Sequence, residues 1–150
     1  MSAAPDITVQ VAVSGVPLPT SRDVCRWAQQ ALAEQDAGGE LVIRIVDEAE
    51  MTALNARYRG KQGPTNVLSF PCERIAGVDT GLLGDIVICA PVVQQEAVHQ
   101  GKAPQAHWAH LVVHGVLHLL GYDHHHEMEA GLMEEREVAV LQQLGFANPY

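Results

Sequence analysis

The sequence predicts an α+β domain in which a small, mostly four-stranded mixed sheet packs with about five to six helices. Short β-branched runs are interleaved irregularly with longer segments whose apolar residues recur every three or four positions. The chain has 150 residues, 47% of them hydrophobic, which is enough to bury one core. No internal repeat or linker divides it, so we expect one domain spanning residues 1–150.

Four runs favour strands, the first because it alternates and is rich in β-branched residues. Their predicted bounds are Ile7–Val13, Glu40–Val46, Asn66–Phe70 and Leu83–Cys89. Pro17 and Pro19 follow the first run, and Pro71 closes the third. Loops are expected at residues 60–64 and 73–81.

Helical spacing of apolar residues favours five longer segments. They run from Thr20 or Ser21 to about Gln35, from Asp47 past Tyr58, from Pro91 to about Gln100, from Pro104 past Leu119, and from about His125 to Leu144. The two earliest begin at residues suited to N-caps, and a proline suits the first turn of the next two. In the last helix the expected inner positions are Leu132, Val138, Leu141 and Leu144.

Three histidines carry the strongest chemical signal. His114 and His118 are four residues apart, which places both imidazoles on one face of a helix. Gly121 can take a positive φ, end the helix and allow His124 to return toward the same point. Three neutral imidazoles without a fourth protein ligand describe a catalytic zinc site with one position left for water.

Two further histidines precede this group on the same helix. His107 and His110 lie one to two turns from His114, roughly 6–10 Å along the axis at about 1.5 Å per residue. We therefore expect both to be too far to bind the same ion. His110 is a candidate for the border of the cleft, and a partly buried polar residue is an equally good interpretation.

The histidines and Gly121 match the zincin pattern His-Glu-x-x-His-x-x-Gly-x-x-His, but Gly115 stands where those peptidases have their general base. A metal site without that base suits phosphodiester cleavage, since the metal can supply the nucleophile and polarise a phosphoryl oxygen. Arginine can hold a phosphate bidentately. Arg57, Arg59 and Lys61 lie within five positions and form the candidate cationic patch.

The net charge of −9 argues against broad, non-specific binding to nucleic acid. Much of the acid falls in the last helix, where a solvated face is expected for Glu127, Glu129, Glu134, Glu135 and Glu137. No apolar run reaches the roughly 18 residues of a membrane span, no secretory signal is visible, and the three cysteines are scattered. A cytosolic protein is expected.

Three blocks of sequence resemble the bacterial YbeY-type endoribonuclease family. They are the segment from His114 to His124, the stretch from Asn55 to Lys61 leading to Pro64-Thr65-Asn66-Val67-Leu68-Ser69-Phe70-Pro71, and Leu83-Gly84-Asp85-Ile86. The similarity runs in order from about Glu40 to Leu144. Many members carry Asp at the position of Asn66, which weakens any role for a carboxylate there.

This resemblance implies a zinc-dependent, single-strand-specific endoribonuclease. Such enzymes act in maturation of the 3′ end of the small-subunit (16S) ribosomal RNA and in ribosome quality control, so the implied partners are that RNA, the small ribosomal subunit and assembly factors. It implies one zinc ion held by His114, His118 and His124, and Arg59 as the catalytic or phosphate-binding arginine. Arg57 and Lys61 are candidates for backbone phosphates, and no membrane is involved.

Two other interpretations remain open. A zinc peptidase or small-molecule hydrolase would need a carboxylate base from elsewhere, for which Asp85 and Asp123 are the nearby candidates. A non-enzymatic ribosome assembly factor would hold a structural zinc, which usually has four protein ligands.

Overall fold

Nine regular elements follow one another in a computed structural model that describes residues 5–72, 81–122 and 127–150. In chain order they are β1 (Asp6–Ala12), α1 (Ser21–Glu34), β2 (Glu40–Val46), α2 (Glu48–Arg59), β3 (Val67–Pro71), β4 (Leu82–Cys89), α3 (Ala90–Gln100), α4 (Pro104–Leu119) and α5 (Glu127–Gln143). Each predicted strand and helix is present. β2 has its predicted bounds, the other described ends differ by at most about one residue, and the predicted start of the last helix at about His125 lies outside the described residues. The loop predicted at residues 73–81 lies outside the described residues except for Gly81.

The four strands form one mixed sheet in the order β1-β2-β4-β3. β1 and β2 are parallel, as are β2 and β4, whereas β3 runs antiparallel to β4 at the edge. The predicted α+β class and the mixed four-stranded sheet are therefore confirmed.

Successive side chains of a strand point to opposite faces, which gives the sheet two separate apolar surfaces. On the first face, Ile86 and Ile88 of β4 pack in the main core with residues of α1, α4 and α5. On the second face, Val87 and Cys89 pack with Met51 of α2. The histidine-bearing helix α4 therefore lies on the first face and α2 on the second.

Side-chain caps confirm the predicted starts of the first two helices. The Thr20 hydroxyl accepts a hydrogen bond from the Asp23 amide at 3.1 Å, and the Asp47 carboxylate accepts one from the Glu50 amide at 2.8 Å. Each satisfies a backbone donor that the first turn leaves without an intrahelical partner.

The register of α5 differs from its predicted register. Leu132, an expected inner position, is 47% exposed, whereas Met133, Glu137, Val140 and Leu141 are buried. These positions follow the i, i+4, i+7, i+8 spacing of one helix face. Glu137 therefore occupies the inner stripe, and its predicted place on a solvated face is wrong. Glu129, Glu134 and Glu135 are exposed as expected.

Candidate metal and catalytic site

Helix α4 packs closely on the sheet at Gly115. A Cβ atom at this position would lie 3.0 Å from Ile86 Cγ2 and 3.4 Å from Ser69 Oγ. The Ser69 hydroxyl, on β3, donates a hydrogen bond of 3.0 Å to the Gly115 carbonyl oxygen. The position at which a zincin carries its glutamate therefore faces the sheet here and lacks room for a side chain.

The helix ends in the way that the sequence predicts. Gly121 has a φ of +99°, its amide donates to the His118 carbonyl at 3.0 Å, and the Tyr122 amide donates to the Leu117 carbonyl at 3.1 Å. This pair of bonds is the Schellman motif, which stops a helix and turns the chain. The Tyr122 hydroxyl then donates to Gln35 Oε1 at 2.7 Å and fixes the direction of the turn. His124 and Asp123 lie outside the described residues.

His114 and His118 come together on a half-buried face of α4. Their Nε2 atoms are 3.1 Å apart, and their rings are nearly perpendicular with centroids 4.6 Å apart. Two nitrogens bound tetrahedrally to one zinc at about 2.0–2.1 Å would be separated by about 3.3 Å. The spacing of this pair therefore fits two ligands of a single ion.

A carboxylate from α5 contacts the opposite side of the His114 ring. Glu137 Oε1 lies 2.5 Å from His114 Nδ1, and Glu137 Oε2 lies 2.9 Å from His110 Nε2. The Tyr150 hydroxyl also donates to Oε2. The Glu137 side chain is 0% exposed, whereas His114 retains 19%. Three side chains thus hold a fully buried carboxylate beside the candidate metal ligand.

These contacts fix the charge of Glu137. Burial on its own would raise the pKa of the carboxyl group, but hydrogen bonds from His110, His114 and Tyr150 outweigh it and lower the pKa to about 2. Burial and the neighbouring Glu137 carboxylate raise the pKa of the Tyr150 hydroxyl. At neutral pH, Glu137 is therefore an anion and accepts all three hydrogen bonds.

His110, His114 and Glu137 form a group that can hold a metal ion, because one ligand atom from each lies within 4.8 Å of the others. Imidazole nitrogen and carboxylate oxygen suit zinc and other divalent transition metals. The donor chemistry therefore fits a metal, and it does not by itself select zinc.

A cavity of about 280 Å³ adjoins the histidines. Its polar lining residues are Asn66, Glu96, Gln100, Lys102, His107, His110, His114 and Tyr150. The Asn66 amide donates to both carboxylate oxygens of Glu96, at 3.1 and 3.3 Å, and His107 Nε2 lies 2.9 Å from Glu96 Oε1. An amide suits this position because it can donate to Glu96, which a second carboxylate could not do.

The three candidate cations lie at the end of α2, all of them exposed. Tyr58 packs edge-on against Phe70 of β3 with ring centroids 5.0 Å apart, and the Arg57 guanidinium lies 5.4 Å from the Tyr58 ring centre. Among the described residues, neither Arg59 nor Lys61 forms an ion pair, and no cation of this group lines the cavity beside the histidines. β3 contacts Tyr58 of α2 through Phe70 and Gly115 of α4 through Ser69.

Sequence reasoning missed Glu137 and Tyr150. The signal for Glu137 was its position, four residues after Met133 and four before Leu141, in the stripe that faces the core. Nothing comparable marks Tyr150, which lies beyond the last helix. Asp85, one candidate base, is exposed and lines a different cavity with Asp6 and Glu40.

The mixed sheet and the histidine–carboxylate group together define an α+β protein with a candidate metal site. The sequence model described as endoribonuclease YbeY matches residues 16–145. The chain therefore belongs to the endoribonuclease YbeY family, as its sequence blocks indicated, and the match includes α1, which lies before those blocks. No helix in the described part of the chain is long and apolar enough to cross a membrane.

Two curated relatives are similar in sequence to this protein over nearly its whole length. An endoribonuclease YbeY of Methylococcus capsulatus is 57% identical over 145 residues, 97% of this chain and 95% of the relative. One of Nitrosococcus oceani is 53% identical over 146 residues, 96% and 95% of the two chains. The solution structure of TM1509 from Thermotoga maritima has a TM-score of 0.59 at 21% identity and covers 92% of each chain, which shows a shared fold.

Proposed function

We propose that this chain is a zinc-dependent endoribonuclease that cleaves single-stranded RNA in maturation of the 3′ end of 16S ribosomal RNA and in ribosome quality control. The observation that carries the proposal is the pair of Nε2 atoms 3.1 Å apart on one helix face, in a chain whose relatives are named endoribonucleases. The proposed partners are the small ribosomal subunit and its assembly factors, and the proposed location is the cytoplasm.

The proposed ligands of one zinc ion are His114, His118 and His124, with the first two binding through Nε2. Zinc in such a site supplies a Lewis acid for a phosphoryl oxygen and a source of nucleophile near neutral pH. The described residues hold the helix that carries the first two proposed ligands: the Ser69 hydroxyl bonds α4 to β3, and the Schellman turn ends α4 after His118.

We propose a phosphodiester and not a peptide bond as the substrate because of which carboxylates lie close to the proposed metal ligands. Gly115 replaces the peptidase base and faces the sheet. Glu137 is buried and accepts three hydrogen bonds, so with a pKa of about 2 it is a poor general base. Asp85 lines a separate cavity. Glu96 lines the cavity beside the histidines, but both of its oxygens accept hydrogen bonds from Asn66 and one also contacts a histidine ring nitrogen, so it is also a poor candidate for a general base.

Arg59 is the proposed catalytic or phosphate-binding residue. It is the last residue of α2 and is exposed, and its guanidinium can form two parallel hydrogen bonds to a phosphate. Arg57 and Lys61 are the proposed contacts to neighbouring phosphates, and His110 borders the cavity beside the ligands. The RNA would cross β3 between these cations and α4. The three cations would provide a local positive patch on an acidic protein.

The test measures cleavage of a single-stranded RNA oligonucleotide carrying the 3′ end of the small-subunit RNA, and of its duplex. Arg59→Glu is expected to lose about 100-fold or more in rate, as when one transition-state donor is removed. His114→Ala and His118→Ala are expected to lose activity because each removes a proposed ligand of the catalytic metal. Arg22→Glu is the matched control, since it reverses the charge of an exposed arginine on α1 and is expected to retain activity.

Each outcome discriminates between interpretations. Persistent cleavage by both purified His114→Ala and Arg59→Glu proteins would refute the nuclease proposal. Cleavage of casein without cleavage of RNA would favour the peptidase. Normal ribosome maturation in cells that carry Arg59→Ala, and failure in cells that lack the protein, would favour the non-enzymatic assembly factor.

A further inference from the structure

The buried carboxylate of Glu137 is not used in the chemistry above, yet it lies against a proposed metal ligand. Its two oxygens have different partners. Oε1 contacts His114 Nδ1 at 2.5 Å, whereas Oε2 accepts hydrogen bonds from His110, at 2.9 Å, and from Tyr150. Because Oε2 is fixed from two directions, the plane of the carboxylate is fixed, and Oε1 is aimed at one ring.

This contact determines which nitrogen of His114 can bind a metal. Oε2 accepts hydrogen bonds from Tyr150 and His110, so the carboxylate acts as an acceptor here, and Nδ1 of His114 is the donor to Oε1. The lone pair of the neutral ring is then on Nε2, the atom that lies 3.1 Å from His118 Nε2. The carboxylate and the second histidine therefore face opposite nitrogens of the same ring.

We infer that Glu137 is a positioning residue that holds His114 in the tautomer with its proton on Nδ1 and aims Nε2 at an ion shared with His118. His110 and Tyr150 hold the carboxylate and do not bind the ion themselves. This inference rests on the proposed function only in taking His114 and His118 as ligands. Metal-binding histidines commonly donate their second nitrogen to a carboxylate, which fixes the ring and raises its basicity.

The distances favour this arrangement over one in which Glu137 binds the ion. Two ligands on one tetrahedral zinc would be separated by about 3.3 Å, and the Oε1–Nδ1 separation of 2.5 Å is too short to place an ion between them. The 2.9 Å between Oε2 and His110 Nε2 is an ordinary hydrogen bond. The Nε2–Nε2 separation of 3.1 Å is within about 0.2 Å of the value for two ligands of one ion.

The first experiment measures zinc affinity by competition with a chromophoric chelator, which is independent of catalysis. Glu137→Gln keeps the size of the side chain but removes its charge, and it is expected to weaken zinc binding by about 10- to 100-fold. Glu135→Gln makes the same chemical change on the exposed side of α5 and is the control. Tyr150→Phe removes one donor to Oε2 and is expected to weaken binding in the same direction but less.

The second experiment determines the tautomer of His114 by long-range ¹H–¹⁵N NMR of the histidine rings in the zinc-loaded wild-type protein. It needs no variant, so it still tests the inference if Glu137→Gln fails to fold. The expected result is a protonated Nδ1 and a metal-bound Nε2 on His114. A metal-bound Nδ1, a Glu137→Gln affinity within twofold of wild type, or loss of zinc in His110→Ala equal to that in His114→Ala would overturn the inference. Equal zinc binding by wild type and His114→Ala would instead overturn the proposed function.

Discussion

Replacing Gly115 with alanine tests whether α4 packs too closely on the sheet to leave room for a side chain at the position where a zincin has its glutamate. The new Cβ would lie 3.0 Å from Cγ2 and 3.2 Å from Cδ1 of Ile86, which is fully buried on β4. Overpacking of this kind costs about 1–3 kcal/mol. Alanine also gains about 1 kcal/mol over glycine inside a helix. The expected net change is therefore a loss of about 0–2 kcal/mol in the free energy of unfolding.

Gly131 in α5 supplies a matched control, because a Cβ there meets nothing within 4 Å. Gly131→Ala should gain about 1 kcal/mol from helix propensity alone. Urea unfolding of both variants measures the difference, expected to be about 1–3 kcal/mol. A displaced α4 should also lengthen the 3.0 Å bond from Ser69 to the Gly115 carbonyl and slow RNA cleavage. Equal stabilisation by both substitutions would show that the helix does not press on the sheet.

Three further predictions concern local interactions and the metal. Arg44 donates hydrogen bonds to both oxygens of Glu50, at 2.6 and 2.9 Å, and lowers the pKa of that carboxyl group. The pair therefore stabilises the folded state at pH values above the unfolded pKa of about 4.3. This stabilisation disappears as the pH falls through the lower pKa of the folded state. Glu50→Gln should therefore cost about 0.5–1 kcal/mol in urea unfolding at pH 7, and equal losses at pH 7 and pH 2.5 would contradict the pairing. Asp47→Ala removes the cap of α2 and should cost about 1 kcal/mol, whereas an unchanged unfolding midpoint would show that the cap contributes nothing. Removal of zinc with a chelator should abolish RNA cleavage and added zinc should restore it, so full activity of metal-free protein would refute the metal dependence.

Most of the fold could be predicted because its signals are local. The alternation in β1 and the helical spacing in α4 lie within single segments, and both elements form where that spacing indicates. The register of α5 could not be predicted in the same way. A count of apolar residues places Leu132 inside, whereas the true inner stripe includes Glu137, whose burial depends on partners from another helix.

The residues of the candidate site also differ in whether local sequence signals predict them. His114 and His118 could be paired from sequence because helix geometry fixes their separation within one turn. Glu137 is 23 residues from His114 along the chain, and Tyr150 is 40 residues from His110. Contacts over such separations depend on how helices pack, which residue spacing does not encode. The position of Arg59 relative to the histidines depends in the same way on the packing of α2 and α4 on opposite faces of the sheet.

Anomalous diffraction at the zinc edge from crystals of the zinc-loaded protein would locate the ion directly. The predicted result is one zinc ion about 2.0–2.1 Å from Nε2 of both His114 and His118, with His124 as the third protein ligand and Glu137 hydrogen-bonded to Nδ1 of His114. An ion bound by Glu137 and His110, or crystals with no zinc at the histidines, would contradict it.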